Sequence, residues 1–259
     1  MIPAERHDKI LSLLNERRYI SFNELTQKIN ASKSTLRRDV YELEQEGHLT
    51  RTRGGIALGD DVEQFNVTSE ASVQVRQSEN RDEKIRIAEA AMRFIHPNDT
   101  IFLDSGTTTY ELAVKLKEYH HSLMVASSDL SSAMALSDNE DLEIIVIGGK
   151  LRKRHNSMIG YFSDNIISQM HADTAFISTD AVDSEKGLMA FSLDEVTGKK
   201  AMIQGAREVI LLCDHTKFSR IAFVTISSLE EIDHIITGRE LDDHTHSYFT
   251  EMGIDVILV

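Results

Sequence analysis

The strongest constraint on this 259-residue chain is an alternation. From about residue 82 onward, short apolar, β-rich runs recur between stretches of helical period: TIFLD (100–104), LMVAS (123–127), LEIIVIGG (142–149), TAFIS (174–178), VILLCD (209–214), AFVTIS (222–227), HIIT (234–237) and DVILV (255–259). Helix patterns over 83–94, 109–117, 129–137 and 194–207 separate several of them. A strand that is apolar throughout, rather than at every second position, is buried on both faces. Strands of that kind with helices between them make an α/β domain with a mostly parallel sheet covered on both sides.

The first 58 residues follow another rule. RHDKILSLLNERR places Ile10, Leu13, Leu14 and Arg17 at helical spacing, and SFNELTQKIN offers Ser21 and Glu24 as a capping box ahead of the Leu25/Ile29 pair. In ASKSTLRRDVYELEQEGHL, Ser32 caps a third helix, Leu36, Val40 and Leu43 form its buried stripe, and Gly47 stops it. Two helices joined by a tight turn, with another before them, make a helix-turn-helix. HLTRTRGGIAL then alternates around Gly54-Gly55 like a small hairpin, which makes the winged variant. Residues 59–80 are acidic, rich in Ser/Thr and aperiodic. The sequence thus divides into a winged helix-turn-helix at 1–58, a linker at 59–80 and a larger α/β domain at 81–259.

Charge separates the same parts. The chain carries 28 Lys/Arg against 42 Asp/Glu, but residues 1–58 hold ten of the former and eight of the latter. An acidic body repels nucleic acid, so DNA binding is confined to the first part. There, Lys33, Ser34, Thr35, Arg37 and Arg38 face away from the Leu36/Val40/Leu43 stripe. Hydroxyls and a helix N-terminus suit phosphate, and the arginine fork suits guanine in the major groove. Arg51 and Arg53 on the hairpin would flank the duplex. The single cysteine, Cys213, lies in the apolar run EVILLCD, and a chain with one thiol makes no internal disulfide, which fits a cytoplasmic protein. No apolar run approaches the ~18 residues of a membrane helix. His120-His121 and His244/His246 lack metal-ligand spacing, so neither a metal nor another cofactor is expected.

FLDSGTTT, 102–109, runs from a strand into a helix. Asp104 ends the strand, Gly106 lets a ligand approach the backbone, and Ser105, Thr107, Thr108 and Thr109 bring hydroxyls to a helix start. This is a cradle for phosphate or a set of helix caps; the residues alone allow both. The absence of a following Gly-Lys-Ser/Thr excludes a Walker A loop. VIGGKLRKR ends another strand with Gly149, then Lys150 and Arg152, cations where a parallel sheet binds its ligands.

These motifs together resemble the DeoR family of bacterial sugar-operon repressors. The resemblance runs through STLRRDV, RGGIAL, EKIRIAEAA, FLDSGTTT, IGGKLR, AFIS, DEVTGKKAMI and LCDHTKF, nearly the whole chain. It implies a sensor domain similar to the ribose-5-phosphate isomerase and CoA-transferase fold, with a phosphorylated sugar in the DSGTTT cradle. Asp180 and Asp183 in STDAVD resemble the isomerases' Asp-Gly-Ala-Asp loop, with Ala181 in place of the glycine. Glu195 and Lys199 resemble the acid–base region, though an i, i+4 surface pair reads the same way. Asp214 and Lys217 match the family's Asp-Ser-Ser-Lys, with His215 and Thr216 replacing the serines. The expectation is a repressor, not an enzyme, that leaves its operator when a sugar phosphate binds, and that works as a dimer or tetramer on paired half-sites. The rival is a sugar-phosphate isomerase-like enzyme carrying a DNA-binding module, with Glu195 as general base.

Overall fold

The computed structural model describes residues 3–17, 19–21, 25–26, 28–29, 31–45, 48–51, 55–57, 73–218 and 220–259, and the chain divides into two compact units, 1–71 and 72–259.

In the smaller unit, α1 (Pro3–Arg17) and α2 (Lys33–Gln45) pack with Leu25 and Ile29 around Ile10, Leu14, Leu36, Val40, Leu43 and Leu49. Ser32 caps α2, its Oγ accepting the Thr35 N–H at 3.1 Å. The wing has a strand that the sequence pattern did not show. β1 (Tyr19–Ser21) joins β2 (Thr50–Arg51) and β3 (Gly55–Ala57) in the order β1-β3-β2, with Ile20 opposite Ile56 and both fully buried. Three residues are too few to display a period. Ser21 therefore ends a strand, and its expected capping partner Glu24 lies outside the described residues, as do Gly47 and Arg53.

One ion pair fastens α2 to α1. Asp39 sits on the buried stripe, three residues after Leu36, and accepts Arg6 Nε at 2.6 Å and Nη2 at 2.8 Å. The hydrogen bonds from Arg6 hold the Asp39 carboxyl below its ordinary 3.8, although burial pushes the other way.

The larger unit is built on a seven-stranded sheet, parallel throughout: β4 (Thr100–Leu103), β5 (Leu123–Ser127), β6 (Leu142–Val146), β9 (Ala172–Ile177), β12 (Ala206–Leu212), β14 (His234–Thr237) and β15 (Asp255–Leu258), in the order β15-β14-β12-β9-β4-β5-β6. Ile101, Leu103, Val125, Ile210 and Leu212 pack with α4 (Arg81–Ala91) and α5 (Thr107–Leu116) on one face. Their neighbours Phe102, Ala126, Val209 and Leu211 pack with Met202 and Ile203 of α8 (Val196–Gly205) on the other. Both faces are dry, which is why the strands read as continuous apolar runs. Further helices are α3 (Val73–Ser78), α6 (Leu130–Leu136), α7 (Tyr161–Ile167) and α9 (Asp243–Glu251).

The run AFVTIS departs from expectation. Its strand β13 (Val224–Ser227) pairs antiparallel with β11 (Gly187–Ala190), which pairs with β10 (Ala181–Asp183), in a small separate sheet. Val224 is partly exposed and Thr225 exposed, whereas Ile226 and Ser227 are buried, so this strand is covered only toward its C-terminal end. A second hairpin, β7 (Lys150–Arg152) with β8 (Ser157–Ile159), follows the glycine pair. The stretch read as linker is also corrected at its end: 73–78 is helical, because Val73 is buried and its N–H donates to the Arg154 carbonyl at 2.9 Å.

The Arg6–Asp39 pair predicts a pH dependence for the smaller unit. Because the folded-state value of Asp39 is depressed, the stability it contributes is present at neutral pH and is lost as pH falls from about 4 through that value. Circular dichroism during acid titration should show this loss in the wild type and a flatter profile in Asp39→Asn, which starts less stable.

Candidate functional site

The centre of the site is a buried cation held by a buried anion. Asp104 follows β4 and is 2% exposed; Lys199, on the first turns of α8, is 5% exposed. Lys199 Nζ donates to Asp104 Oδ2, and also to the Ser178 carbonyl at 3.0 Å and Oγ at 3.3 Å. Ser178, just past β9, closes the arrangement by donating its N–H at 2.8 Å and its Oγ–H at 2.7 Å to the same carboxylate oxygen. Burial alone would discharge the ammonium, but the Asp104 and Glu195 carboxylates outweigh it and raise the Lys199 pKa. Lys199 is thus a fixed charge.

Gly106 makes this close approach possible. Its backbone is extended, which any residue adopts, but a Cβ there would stand 2.3 Å from Ser178 Oγ. α5 begins at the next residue, and its N-cap, Gly106, has no side chain with which to cap the first turn. Thr109 Oγ1 donates instead to the carbonyls of Asp104 at 2.7 Å and Gly106 at 2.9 Å, fixing the loop's shape.

Two hollows open beside this loop, and Ser105 and Glu195 line both. The first is acidic and polar: Asp104, Asp164, Asp194, Glu195, Ser128, Ser163 and Lys199. The second brings Arg76, His155, Ser131, Ser157 and Asp129 to the Ser105–Gly106 side. Asp129 caps α6 through the N–H groups of Ser131 and Ser132; burial pushes its carboxyl above the usual range despite the Ser132 and Ser131 hydrogen bonds. The first lobe is lined mainly by carboxylates, and the second sets the Arg76 guanidinium beside Asp129 and Glu195. They meet at Ser105.

The expected residues divide on this geometry. Asp104, Ser105, Gly106, Glu195 and Lys199 line the cleft. Arg152 reaches it by an ion pair with Glu195. Thr107, Thr108 and Thr109 are all buried in the α5 turn, so this loop presents its backbone and Ser105 rather than a row of hydroxyls. Gly149 packs the β7–β8 hairpin, where a Cβ would meet the Ile159 carbonyl at 2.7 Å, and Lys150 is exposed. Asp183 accepts the N–H groups of Glu185 and Lys186 in its own turn. Asp180 accepts the Phe191 N–H and stands 3.9 Å from Arg76. Lys217 lines neither lobe; it faces Asp214, whose carboxyl it helps to hold low against burial, together with Thr216 and Lys84. Asp129, Ser131, His155 and Ser157 are new to the site, and only the Asp129 cap in SSDLSS left a sequence signal.

Glu83, His215 and Glu240 could gather around an ion, with ligand atoms within 4.8 Å of one another. Each is already engaged: Glu83 accepts the His215 and Gly238 N–H groups, and Glu240 pairs with Arg86. Cys213 is buried, and burial lifts its thiol well above the ordinary value.

On α2, Lys33, Ser34, Arg37 and Arg38 are exposed and Thr35 partly so, on the side away from the core. Arg38 lies 3.8 Å from Glu42 one turn on. Arg51 is in β2; Arg53 lies outside the described residues.

Residues 6–62 match the DeoR-like helix-turn-helix domain, and residues 79–239 match the DeoR C-terminal sensor domain. The chain belongs to the DeoR family. GolR of Listeria innocua, an HTH-type transcriptional regulator, is 31% identical over 256 residues, spanning 99% of this chain and 98% of its own. The glycerol-3-phosphate regulon repressor of Escherichia coli K12 is 33% identical over 237 residues, 92% of this chain and 91% of its own. Another regulator, GlpR of Haloferax volcanii, is 33% identical over 257 residues, 99% and 98%. Among solved structures, ribose 5-phosphate isomerase A of Methanocaldococcus jannaschii overlies 54% of this chain and 55% of its own, with a TM-score of 0.41 and 17% identity. This DeoR-family chain is a transcriptional regulator, as these sequence relatives are, and the isomerase reading of Glu195 is set aside. No helix among the described residues is long and apolar enough to cross a membrane.

Gly106→Ala should displace Ser178 from Asp104 and Lys199. Overpacking of this kind costs about 1–3 kcal/mol, to be read as a lower urea midpoint with the slope unchanged. Ser178→Gly in the same chain should recover part of the loss by removing the clashing atoms.

Proposed function

We propose that this DeoR-family repressor holds operator DNA of a carbohydrate operon through α2 and the wing, and lets go when a phosphorylated sugar fills the cleft of the larger unit. The observation that carries this reading is the division of the cleft. A small sugar phosphate has one anionic end and one end made of hydroxyls. The Ser105–Gly106 side, with the first turn of α5 and the Arg76–His155 pair opposite, suits the anion. Asp104, Asp164 and Glu195 suit the hydroxyls. A carboxylate-rich lobe would repel a second phosphate, so the ligand class is a monophosphate.

The residues assigned to the effector are Ser105 and Gly106 with the α5 backbone for phosphate, and Glu195 with Asp104 for hydroxyls. Lys199 sets the position of Asp104. Lys33, Ser34, Thr35, Arg37 and Arg38 meet the operator, with Arg51 and Arg53 at its flanks. The regulator acts in the cytoplasm, where its DNA is, and as a dimer or tetramer matched to paired half-sites.

Two measurements test the two ends. Arg37→Ala and Arg38→Ala should each weaken operator binding; a base-contacting arginine is worth about 1–3 kcal/mol, whereas loss of a phosphate contact flattens the salt slope. Unchanged affinity in the double variant at moderate salt would remove α2 from the interface. Because Thr108 is buried, a test charge belongs on Ser105, which is partly exposed. Ser105→Asp puts a carboxylate where the phosphate sits, so this variant should bind operator like wild type and stay bound when the inducing sugar phosphate is added. Release at the wild-type concentration would exclude the Ser105 loop.

A further inference from the structure

α3 is the first described element of the larger unit, entered directly from the stretch that follows the DNA-binding unit, and it forms one wall of the anion lobe. Val73, Arg76 and Gln77 line that lobe opposite Ser105 and Gly106. Arg76 Nη2 lies 3.1 Å from His155 Nδ1; a guanidinium only donates, so His155 accepts there and carries its proton on Nε2. Arg76 Nη1 stands 3.9 Å from Asp180 Oδ1, close enough to feel its charge and beyond a hydrogen bond.

A second observation points to a ligand in the same lobe. Ser157 is 1% exposed and lines it, yet its Oγ has no hydrogen-bond partner among the described residues. A buried hydroxyl in that state costs free energy until something accepts from it. Ser157, His155 and Arg154 all lie at the β7–β8 hairpin, whose Arg152 pairs with Glu195 across the other lobe.

α3 is also held at both ends by groups of the larger unit. The Val73 N–H donates to the Arg154 carbonyl, and the buried Lys84 Nζ donates to the carbonyls of Arg76 and, at 2.6 Å, Glu79. The Arg76 side chain is thus carried on a short helix tied at both ends rather than on a free loop.

We propose that Arg76, with Ser157, binds the effector's phosphate, and that α3 is the element through which effector binding reaches the DNA-binding unit. This rests on the reading of the lobe as a phosphate site. A phosphate oxygen between Ser105 and Arg76 is a stronger partner for the guanidinium than Asp180 at 3.9 Å, because it accepts charge-assisted, bidentate bonds. Its arrival draws Arg76 toward the Ser105 side, and α3 with it. The ligand then shifts DNA binding by as much as it prefers that position of the helix.

The test uses the full chain and inorganic phosphate as probe, with calorimetric titration and amide hydrogen exchange on residues 73–80. In wild type, phosphate binds and slows exchange in α3. Arg76→Gln should weaken phosphate binding on the order of tenfold, as loss of one charge-assisted contact does, and abolish the exchange change. Arg76→Lys, which keeps the cation but not the fork, should fall between and shows whether a folded α3 with a charge suffices. Ser157→Ala should weaken binding with little change in melting temperature. If wild type binds phosphate while Arg76→Gln binds it equally well, or while α3 exchange stays unchanged, the proposal is overturned and the phosphate reading stands. If wild type binds no phosphate, the reading of the lobe fails and this inference goes with it.

Discussion

The larger unit depends on the burial of Asp104 with Lys199. Two opposite charges nearly out of water gain from each other only if their remaining hydrogen-bonding capacity is also met. Ser178 meets it, giving its N–H and hydroxyl to the carboxylate and its carbonyl to the ammonium. Three elements that are distant in sequence are thereby fixed to one another: the end of β4, the end of β9 and the start of α8. The requirement propagates outward. Ser178 can stand where it does only because residue 106 has no side chain, and the same approach sets where α5 begins. The first turn of α5 and the two lobes beside Ser105 follow from a demand made in the core.

The two units separate electrostatic tasks that would conflict in one body. The sensor part carries the chain's negative charge and can line one lobe with carboxylates that accept from sugar hydroxyls. The small unit presents Lys33, Arg37 and Arg38 on the exposed side of α2, and its buried carboxylate Asp39 is neutralised by Arg6. A ligand effect on DNA must then cross between units, and the energy available for it is the ligand's preference between two arrangements, typically about 1–3 kcal/mol.

The fold was legible where burial is uniform. Every strand of the parallel sheet coincides with an apolar run; over the inner strands both faces are covered and no solvent imposes alternation, while the edge strands β6 and β15 stay partly exposed. β13 was legible as a strand but not as a member of another sheet, since a short apolar run looks the same in either. β1 is three residues long and shows no period. Of the residues that line the cleft, Asp104, Ser105, Gly106, Glu195 and Lys199 stand in legible motifs at the ends of strands and the start of a helix. Thr107 and Thr108 are buried, and a row of threonines at a helix start does not show in sequence that the turn faces inward. Lys217 answers to Asp214 and Lys84 instead of the cleft. Arg76 left no trace: it sits in a polar stretch, and its neighbours His155 and Asp180 come from remote turns. Asp39, by contrast, could have been read as inward, since it falls on the Leu36/Leu43 face.

The central claim is that the effector's phosphate is what separates the regulator from DNA. The most direct measurement is the operator dissociation constant of the full chain, at fixed salt, against matched pairs of small sugars and polyols with and without their phosphate. At least one phosphorylated member should weaken operator binding by about 5–150-fold, with its unphosphorylated partner inert at the same concentration. An unphosphorylated sugar that releases the operator as well as its phosphate does, or operator binding indifferent to every phosphorylated member, would contradict it.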